Sequence, residues 1–382
     1  MDTVLYVDCE AGSRVVAMKL AGVRRYAEAR GWKVVALKES QSRPSRLKRA
    51  LSRERPIGCI VECSAGHADL PPRVFGRMPV VYLDGRRSLY GGRANAVVHD
   101  GVSTAKAAFR ELLSSRPEAF ALVGCNKRVF WSDIREKAFE QLVSATDRPF
   151  FRFRSRHETQ TERLERLAAW MVRLPRKCAI FAVNDQVARE VVEAGSGVRL
   201  GAPSDFTLLG VDNDERLCEE GRTKISSVQV DFEQAGYRAA EVLNRVISGS
   251  PGEPVMETFG PLLAVRREST RGFGRREPRI MTAMELIRAR ACNGLRAKDV
   301  VDALGGSRRL SELRFRETIG HSILDEIISV RLERVFQMLR DPSVPISLVI
   351  DRSGFPSGRA LRKIFLQRVG LSLSEWRDQN KR

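Results

Sequence analysis

The chain has 382 residues, with 66 Lys plus Arg against 47 Asp plus Glu and a formal net charge of +19 at pH 7. That length predicts two or three domains, each large enough for its own core; 43% hydrophobic and 30% charged residues exclude a disordered chain, a coiled coil and a staple-dependent miniprotein. Apolar runs such as 178–183 stop far short of the roughly 20 residues that a bilayer span needs, so no transmembrane helix and no membrane partner are expected. The opening MDTVLYVDCEAG carries acids at Asp2 and Asp8, where a secretory signal would be basic, and a cytoplasmic protein is expected. Seven cysteines, scattered and mostly inside apolar runs, read as reduced core thiols.

From the start to about residue 265, short β-branched runs alternate with stretches of helical spacing, the rhythm of a parallel sheet. Strands are expected at 4–8, 33–37, 58–62, 79–84, 96–100, 119–124, 179–183 and 207–211. Helices are expected at 14–30, where Val16, Met18, Leu20, Val23, Tyr26 and Ala27 approximate one face, and at 103–114. The strand runs are apolar throughout rather than alternating, which implies sheets covered on both faces. Two batches of strands, split near Asp100, imply two doubly wound α/β subdomains. A strand at 226–230, a helix at 235–247 and a last strand at 255–265 complete the set. Ligands of open sheets sit beyond the carboxyl ends of the strands, so two facing sheets would share a cleft there.

The texture changes at 266–279, RREST RGFG RREPR, which is Arg-rich and almost without apolar residues. The expected division is a ligand-binding core at 1–270, a linker at 271–279 and an all-α domain at 280–382. Six helices are expected there, at 281–291, 297–304, 308–318, 323–339, 346–352 and 358–368. Two stretches, 304–320 and 349–370, repeat one pattern: helix, Gly-containing turn, Arg-bearing helix with Phe and a later Gly. That is helix-turn-helix geometry, in which the second helix lies in a major groove with its N-terminal residues on base edges. Ser307 and Ser357 are the expected N-caps. Arg308 and Arg309 in the first copy, and Arg359, Arg362 and Lys363 in the second, are placed to meet bases or phosphates. Residues 271–382 hold 23 basic and 13 acidic groups, net +10, so charge density there is more than twice that of the preceding 270 residues.

Residues 279–378 resemble an AraC-type DNA-binding domain, whose two helix-turn-helix units share a connecting helix. The resemblance rests on VVDALGGSRR, RFRETIGHSILDEIISVRLERV, the pair Gly354 and Phe355, Phe365, Gly370 and the closing EWR. Ser311 departs from it, standing where a core leucine is usual, as does Ile350, where alanine is usual. The first 270 residues resemble the sugar-binding core of LacI/GalR-type repressors, itself similar to periplasmic sugar-binding proteins. AIFAVNDQVA (179–188), FTLLGVDND (206–214), ISSVQVDFEQAGYRAAEVLNRVISG (225–249) and VRREST (265–270) carry that likeness. The same order of core and module is found in regulators of xylose operons, to which WSDIREKAF (131–139) is also similar.

A sugar pocket needs bidentate hydrogen-bonding groups and an aromatic platform. Glu10, Asp84, Asn184, Asp185 and Asp212 each follow a strand, as do Trp131 and Arg135, so all seven are candidate ligand contacts; each acid is equally suited to capping the next helix. The family resemblance implies Asp185, Arg135 and Asp212 as contacts, and the likeness to xylose-operon regulators implies Trp131. Enzyme chemistry finds no phosphate loop, HExxH or GxSxG, Cys59 and Cys63 have no second pair to make a zinc site, and no cofactor or metal is expected. The reading is a cytoplasmic, homodimeric, sugar-responsive regulator that binds DNA half-sites, contacts RNA polymerase and activates a pentose or related carbohydrate operon. The alternative is a sugar sensor whose basic module binds a protein, or nucleic acid without sequence choice.

Overall fold

A computed structural model describes residues 2–8, 13–37, 44–64, 70–85, 94–127, 129–154, 158–249, 254–271, 278–319, 321–341 and 343–381. The first sheet is built from β1 (Thr3–Val7), β2 (Lys33–Leu37), β3 (Gly58–Glu62), β4 (Val80–Leu83) and β5 (Asn95–His99), with α1 (Arg14–Arg30) and α2 (Pro44–Glu54) between its early strands. The chain then crosses over through α3 (Gly101–Ser114) to β6 (Ala119–Val123), α4 (Phe130–Ser144), β7 (Phe150–Phe153), α5 (Gln160–Met171), β8 (Cys178–Ala182), α6 (Asp185–Gly197), β9 (Phe206–Val211), α7 (Glu215–Glu219) and β10 (Ser226–Val230). It returns through α8 (Phe232–Ile247) to β11 (Met256–Phe259) and crosses a third time to β12 (Pro261–Val265). The sheets run β11-β5-β4-β3-β1-β2 and β12-β10-β9-β8-β6-β7.

Nine of these strands lie close to their expected bounds, and strands such as β3, β6 and β8 are buried along their whole length, as two-sided coverage requires. Two features differ from the expectation. The single strand at 255–265 is two strands broken at Gly260: β11 pairs parallel with β5 of the first sheet, and β12 pairs antiparallel with β10 of the second. β7 is an added edge strand, FFRF, whose exposed Arg152 interrupts the apolar run. The three crossings meet. Asp100 N–H donates to the Phe259 carbonyl at 2.7 Å, and the His99 ring lies 5.2 Å from Phe259 and 6.5 Å from Phe232.

α8 follows the second sheet in sequence but packs on α1 of the first subdomain. The backbones touch there: a Cβ on Gly236 would lie 1.7 Å from the Lys19 carbonyl oxygen, so only glycine fits. The thiols of Cys59, Cys63, Cys178 and Cys218 are buried, those of Cys125 and Cys292 half-buried, and Cys9 lies outside the described residues. No helix among the described residues is long and apolar enough to cross a membrane.

The helical module comprises α9 (Pro278–Arg290), α10 (Ala297–Leu304), α11 (Arg308–Ile319), α12 (Ile323–Leu339), α13 (Ile346–Arg352), α14 (Gly358–Val369) and α15 (Leu373–Lys381), the last a helix beyond the six expected. α12 serves two cores. Ile323 and Ile327 pack with Ile287, Val300 and Phe315, whereas Val335, Phe336 and Leu339 pack with Val349, Leu361, Phe365 and Trp376. Leu262 and Leu263 of β12 border the second of these cores, so the second sheet and the helical module share an apolar contact.

Candidate functional site

The cleft between the subdomains is built around a buried lysine. Lys19 falls at core spacing with Val16 and Val23 on α1, and its ammonium, wholly buried, donates to Glu62 Oε1 at 2.8 Å and Asp84 Oδ2 at 3.0 Å. Burial opposes its charge, but the two carboxylates outweigh burial and hold its pKa above the ordinary lysine value. Burial likewise opposes the Asp84 charge; Lys19, His99 and Arg135 outweigh it and hold that carboxyl below the usual range. Asp84, directly after β4, has φ +59°, and its second oxygen, Oδ1, is buried without a hydrogen-bond partner.

From the second subdomain, α4 presents Arg135 and Trp131. The Arg135 guanidinium is 3% exposed; Nη1 donates to the Val183 carbonyl at 2.6 Å, and Nη2 lies 3.6 Å from Asp212 Oδ1, an ion pair beyond hydrogen-bond range. It sits 4.9 Å from the centre of the Trp131 ring, and Trp131 Nε1 donates across the cleft to the Ser64 carbonyl at 3.0 Å. Arg135 Nη2 also donates to His99 Nδ1 at 3.3 Å. Since a guanidinium only donates, the His99 proton sits on Nε2 and is given to Thr104 Oγ1 at 2.9 Å. Burial, with Arg135 beside it, pushes His99 down to about 3 and keeps the ring neutral.

Asn184 and Asp185 sit at the same sheet edge but are already occupied. Asn184 caps α6 by accepting from Val187 N–H at 2.9 Å. Asp185 Oδ1 accepts from the Ser227 hydroxyl at 2.6 Å and Oδ2 from Asp214 N–H at 2.7 Å, so this side chain ties β10 to the loop after β9. Burial, then the charge of Asp212, pushes Asp185 up to about 8. Asp212, with φ +103° and a side chain still 18% exposed, is pushed up to about 6 by burial, while Arg135 and Lys19 oppose the rise. Arg14 Nη1 bridges from the first subdomain to Asp214 Oδ1 at 2.7 Å. These groups line a cavity of about 630 Å³, which Asn184, Asp185 and Asp212 border together with Ser13 and Arg14.

Five buried polar atoms of this cleft have no hydrogen-bond partner: Glu62 Oε2, Asp84 Oδ1, Arg135 Nε, Asp212 Oδ1 and Asn213 Oδ1. Orphaned buried acceptors and donors cost free energy unless a ligand or water satisfies them. The structure thus brings together Asp84, Trp131, Arg135 and Asp212, leaves Asn184 and Asp185 on local duties at the rim, and places Glu10 outside the described residues. Lys19 and Glu62 are members that sequence reasoning missed. Their signal was faint: one lysine within an otherwise apolar helix stripe, and one acid closing an apolar strand. No group of three His, Cys, Asp or Glu among the described residues is arranged to hold a metal ion.

In the helical module, α10, the turn Gly305, Gly306, Ser307 and α11 form the first helix-turn-helix unit; α13, its turn and α14 form the second. Ser307 Oγ accepts from Leu310 N–H at 3.3 Å and Ser357 Oγ from Ala360 N–H at 3.2 Å, so both serines cap their helices. Arg308, Arg309, Arg359, Arg362 and Lys363 are all exposed. Ser311 is buried where a leucine is usual, and its hydroxyl donates to the Gly305 carbonyl at 3.2 Å, fastening α11 to its turn. Gly354 has φ +75° and a Cβ there would stand 2.4 Å from Cys292 Cα, so the second turn packs directly on the backbone between α9 and α10. Arg331 of α12 secures the same junction, donating to the carbonyls of Ala291 at 2.8 Å and Leu295 at 2.6 Å. Gly320, the end of the first repeat, lies outside the described residues.

Comparison with known proteins agrees with this layout. Residues 109–270 match the periplasmic binding protein-like domain family and residues 300–379 a helix-turn-helix domain family. The chain is 29% identical over 292 residues to the xylose operon regulatory protein of Escherichia coli K12, covering 74% of each chain. It is 25% identical over 286 residues to the protein of that name from Haemophilus influenzae, again covering 74% of each. Among solved structures, that of the xylose-binding transcription activator XylR superposes with a TM-score of 0.60 at 24% identity, covering 100% of this chain and 99% of that one.

Proposed function

We propose, for a chain that is a XylR-like, sugar-responsive transcription regulator with a periplasmic-binding-protein-like core and an AraC-type helix-turn-helix module, that its effector is a pentose of the xylose type bound in the interdomain cleft. The observation that carries this reading is the set of unpartnered buried atoms on Asp84, Arg135, Asp212 and Asn213, drawn from both subdomains, with Asp212 also lining the cavity of about 630 Å³. A polyol with hydroxyls on several carbons offers a donor to each free carboxylate oxygen and an acceptor to Arg135 Nε, and its apolar face fits the indole of Trp131. Asp84 would serve the sugar from the first subdomain, Arg135 and Asp212 from the second, so binding favours the closed arrangement over an open one. Asn184 and Asp185 would hold the rim in shape, and Glu10, which follows β1 in the sequence, would be a further contact.

The reading extends to the rest of the chain: a core at 1–270, a linker at 271–279 and a DNA-binding domain at 280–382, acting as a cytoplasmic homodimer on paired half-sites and activating transcription through RNA polymerase. Ser307, Arg308 and Arg309 would read one half-site segment, and Ser357, Arg359, Arg362 and Lys363 the next, with affinity falling steeply as salt rises. Calorimetric titration with D-xylose, D-ribose, L-arabinose and D-glucose, alongside gel shifts on the DNA upstream of the neighbouring genes, tests it. The expected result is tightest binding of a pentose, and a DNA shift that responds to that same sugar. Absence of sugar binding across the panel, or of any sequence-dependent shift with or without sugar, would sink the proposal.

A further inference from the structure

α11 holds two leucines in water. Leu310 is 41% and Leu313 52% exposed, although the helix has Ser311, Phe315, Thr318 and Ile319 buried to hold it in place. At about 100° per residue those four occupy one side, and Leu313 projects from the opposite one. Its neighbours one turn before and after are Arg309, Leu310, Arg316 and Glu317, all exposed. A single exposed leucine is ordinary on a protein surface. Here the pair forms an apolar spot within the charged outer face of the second helix of a helix-turn-helix unit, whose start is pinned by the Ser307 cap and by the Ser311 bond to Gly305. Four arginines on this helix, Arg308, Arg309, Arg314 and Arg316, against Glu312 and Glu317 suit that face to a polyanion. α14 differs. Arg359, Arg362 and Lys363 are exposed in its first two turns, and the exposed leucine, Leu366, comes in the third.

The floor of a major groove offers hydrogen-bonding edges and one apolar projection, the C5 methyl group of thymine. A leucine set against a ring nitrogen, a carbonyl or an amino group strips water from a polar atom and returns no hydrogen bond, whereas against a methyl group both partners leave water. Resting on the DNA-binding reading above, we infer that Leu313, with Leu310 beside it, selects thymine by its methyl group, so that α11 is the thymine-reading helix and α14 the polar one. Arg309 and Leu313 are four residues apart, about 6 Å along the helix, so the thymine lies within about two base steps of the group that Arg309 meets.

Uracil in place of thymine removes that methyl group and leaves every hydrogen-bonding group of the base. Gel shifts of the full chain on the shortest upstream fragment that it shifts, with each thymine replaced singly by uracil, test the inference without altering the protein. One or two replacements should weaken binding about fourfold each, the worth of one buried methyl group, and the others should have no effect. On the unmodified fragment the double variant Leu310→Ala with Leu313→Ala should lose about tenfold, keep the salt slope and bind scrambled DNA within about threefold of the parent, because no charge is removed. The sensitive positions should become silent to uracil in that variant. Val172→Ala, at an exposed site just after α5, should match the parent chain. If the parent chain shows no sequence-dependent shift, the DNA-binding reading itself falls and the inference with it. A specific shift with no uracil-sensitive thymine, uracil sensitivity that survives in the double variant, or full operator affinity in that variant overturns the inference alone; the last would make the leucines a protein contact.

Discussion

Arg266, the residue directly after β12, donates through Nε to both carboxylate oxygens of Glu111 on α3, at 2.7 and 2.9 Å. Its Nη1 reaches the Ser329 hydroxyl of α12 at 3.3 Å. One side chain therefore joins the sensor core to the helix shared by both helix-turn-helix units. Glu111 stands two turns along α3 from Thr104, which accepts from His99, which in turn accepts from Arg135 in the cleft. A rigid helix thus carries a cleft contact at one end and a module contact at the other, the physical continuity that coupling between two sites requires.

Arg266→Gln should separate sensing from response. Loss of a charge-assisted pair with Glu111, 7% exposed, is expected to cost about 2–3 kcal/mol of stability, while sugar affinity, read by calorimetry, stays within about threefold. The change in operator affinity on adding sugar should shrink toward none. A variant that keeps the full sugar response in a gel shift would remove α3 from the coupling.

Within the cleft, neighbouring residues should give unlike phenotypes. Arg135→Ala strips Asp212 of its ion pair and removes the orphaned Nε, and should weaken sugar binding about 100-fold, roughly 2.7 kcal/mol. Asn184→Ala removes only a helix cap, at about 1 kcal/mol of stability, with less than about tenfold change in sugar affinity. Equal losses in both variants, measured by titration calorimetry with melting curves alongside, would contradict this division of labour.

Stability should fall as pH rises from about 5 to about 8. Asp185 keeps its proton to about 8, Asp212 to about 6 and Glu333 to about 7 in the folded chain, whereas unfolded carboxyls ionise near 4. Across that window the folded state binds more protons than the unfolded one, and linkage then requires stability to drop with pH. Asp185→Asn keeps one acceptor for Asp214 N–H and a donor for Ser227 Oγ, so the fold should survive. Its melting temperature should decline less between pH 5 and 8 than that of the parent chain; an identical slope would place the proton elsewhere.

Much of this was legible beforehand, for identifiable reasons. Strands buried on both faces are apolar throughout, and their ends announce themselves by an acid, as at Asp84 and Asp212. The break at Gly260 was not legible, because its two strands read as one apolar run and only the meeting of three crossings sends them to different sheets. Lys19 was hidden for a similar reason: its partners Glu62 and Asp84 are 43 and 65 residues away. Asp185 shows the converse. Residue type and position pointed to a ligand contact, yet Ser227 and Asp214 occupy both its oxygens. The starts of α11 and α14 were legible from Ser307 and Ser357, since a cap three residues before a backbone N–H is a local device that long-range contacts leave alone.

The exposed arginines at the start of α11 and α14 should differ in what they contribute to binding DNA. A guanidinium bidentate to guanine adds about 1–3 kcal/mol of discrimination, whereas one clamped on phosphate adds affinity that every sequence shares. Arg308→Ala, Arg309→Ala, Arg359→Ala and Arg362→Ala, each titrated on operator and on scrambled DNA at several salt concentrations, separate the two. A base-reading residue should lower operator affinity alone, with the salt slope kept. A phosphate-binding residue should lower both affinities and reduce the slope by about one. At least one residue of the base-reading kind is expected in each unit, because each N-terminal turn is capped, exposed and free of ion pairs to acids among the described residues. If all four substitutions lower operator and scrambled binding equally, the module binds nucleic acid without sequence choice.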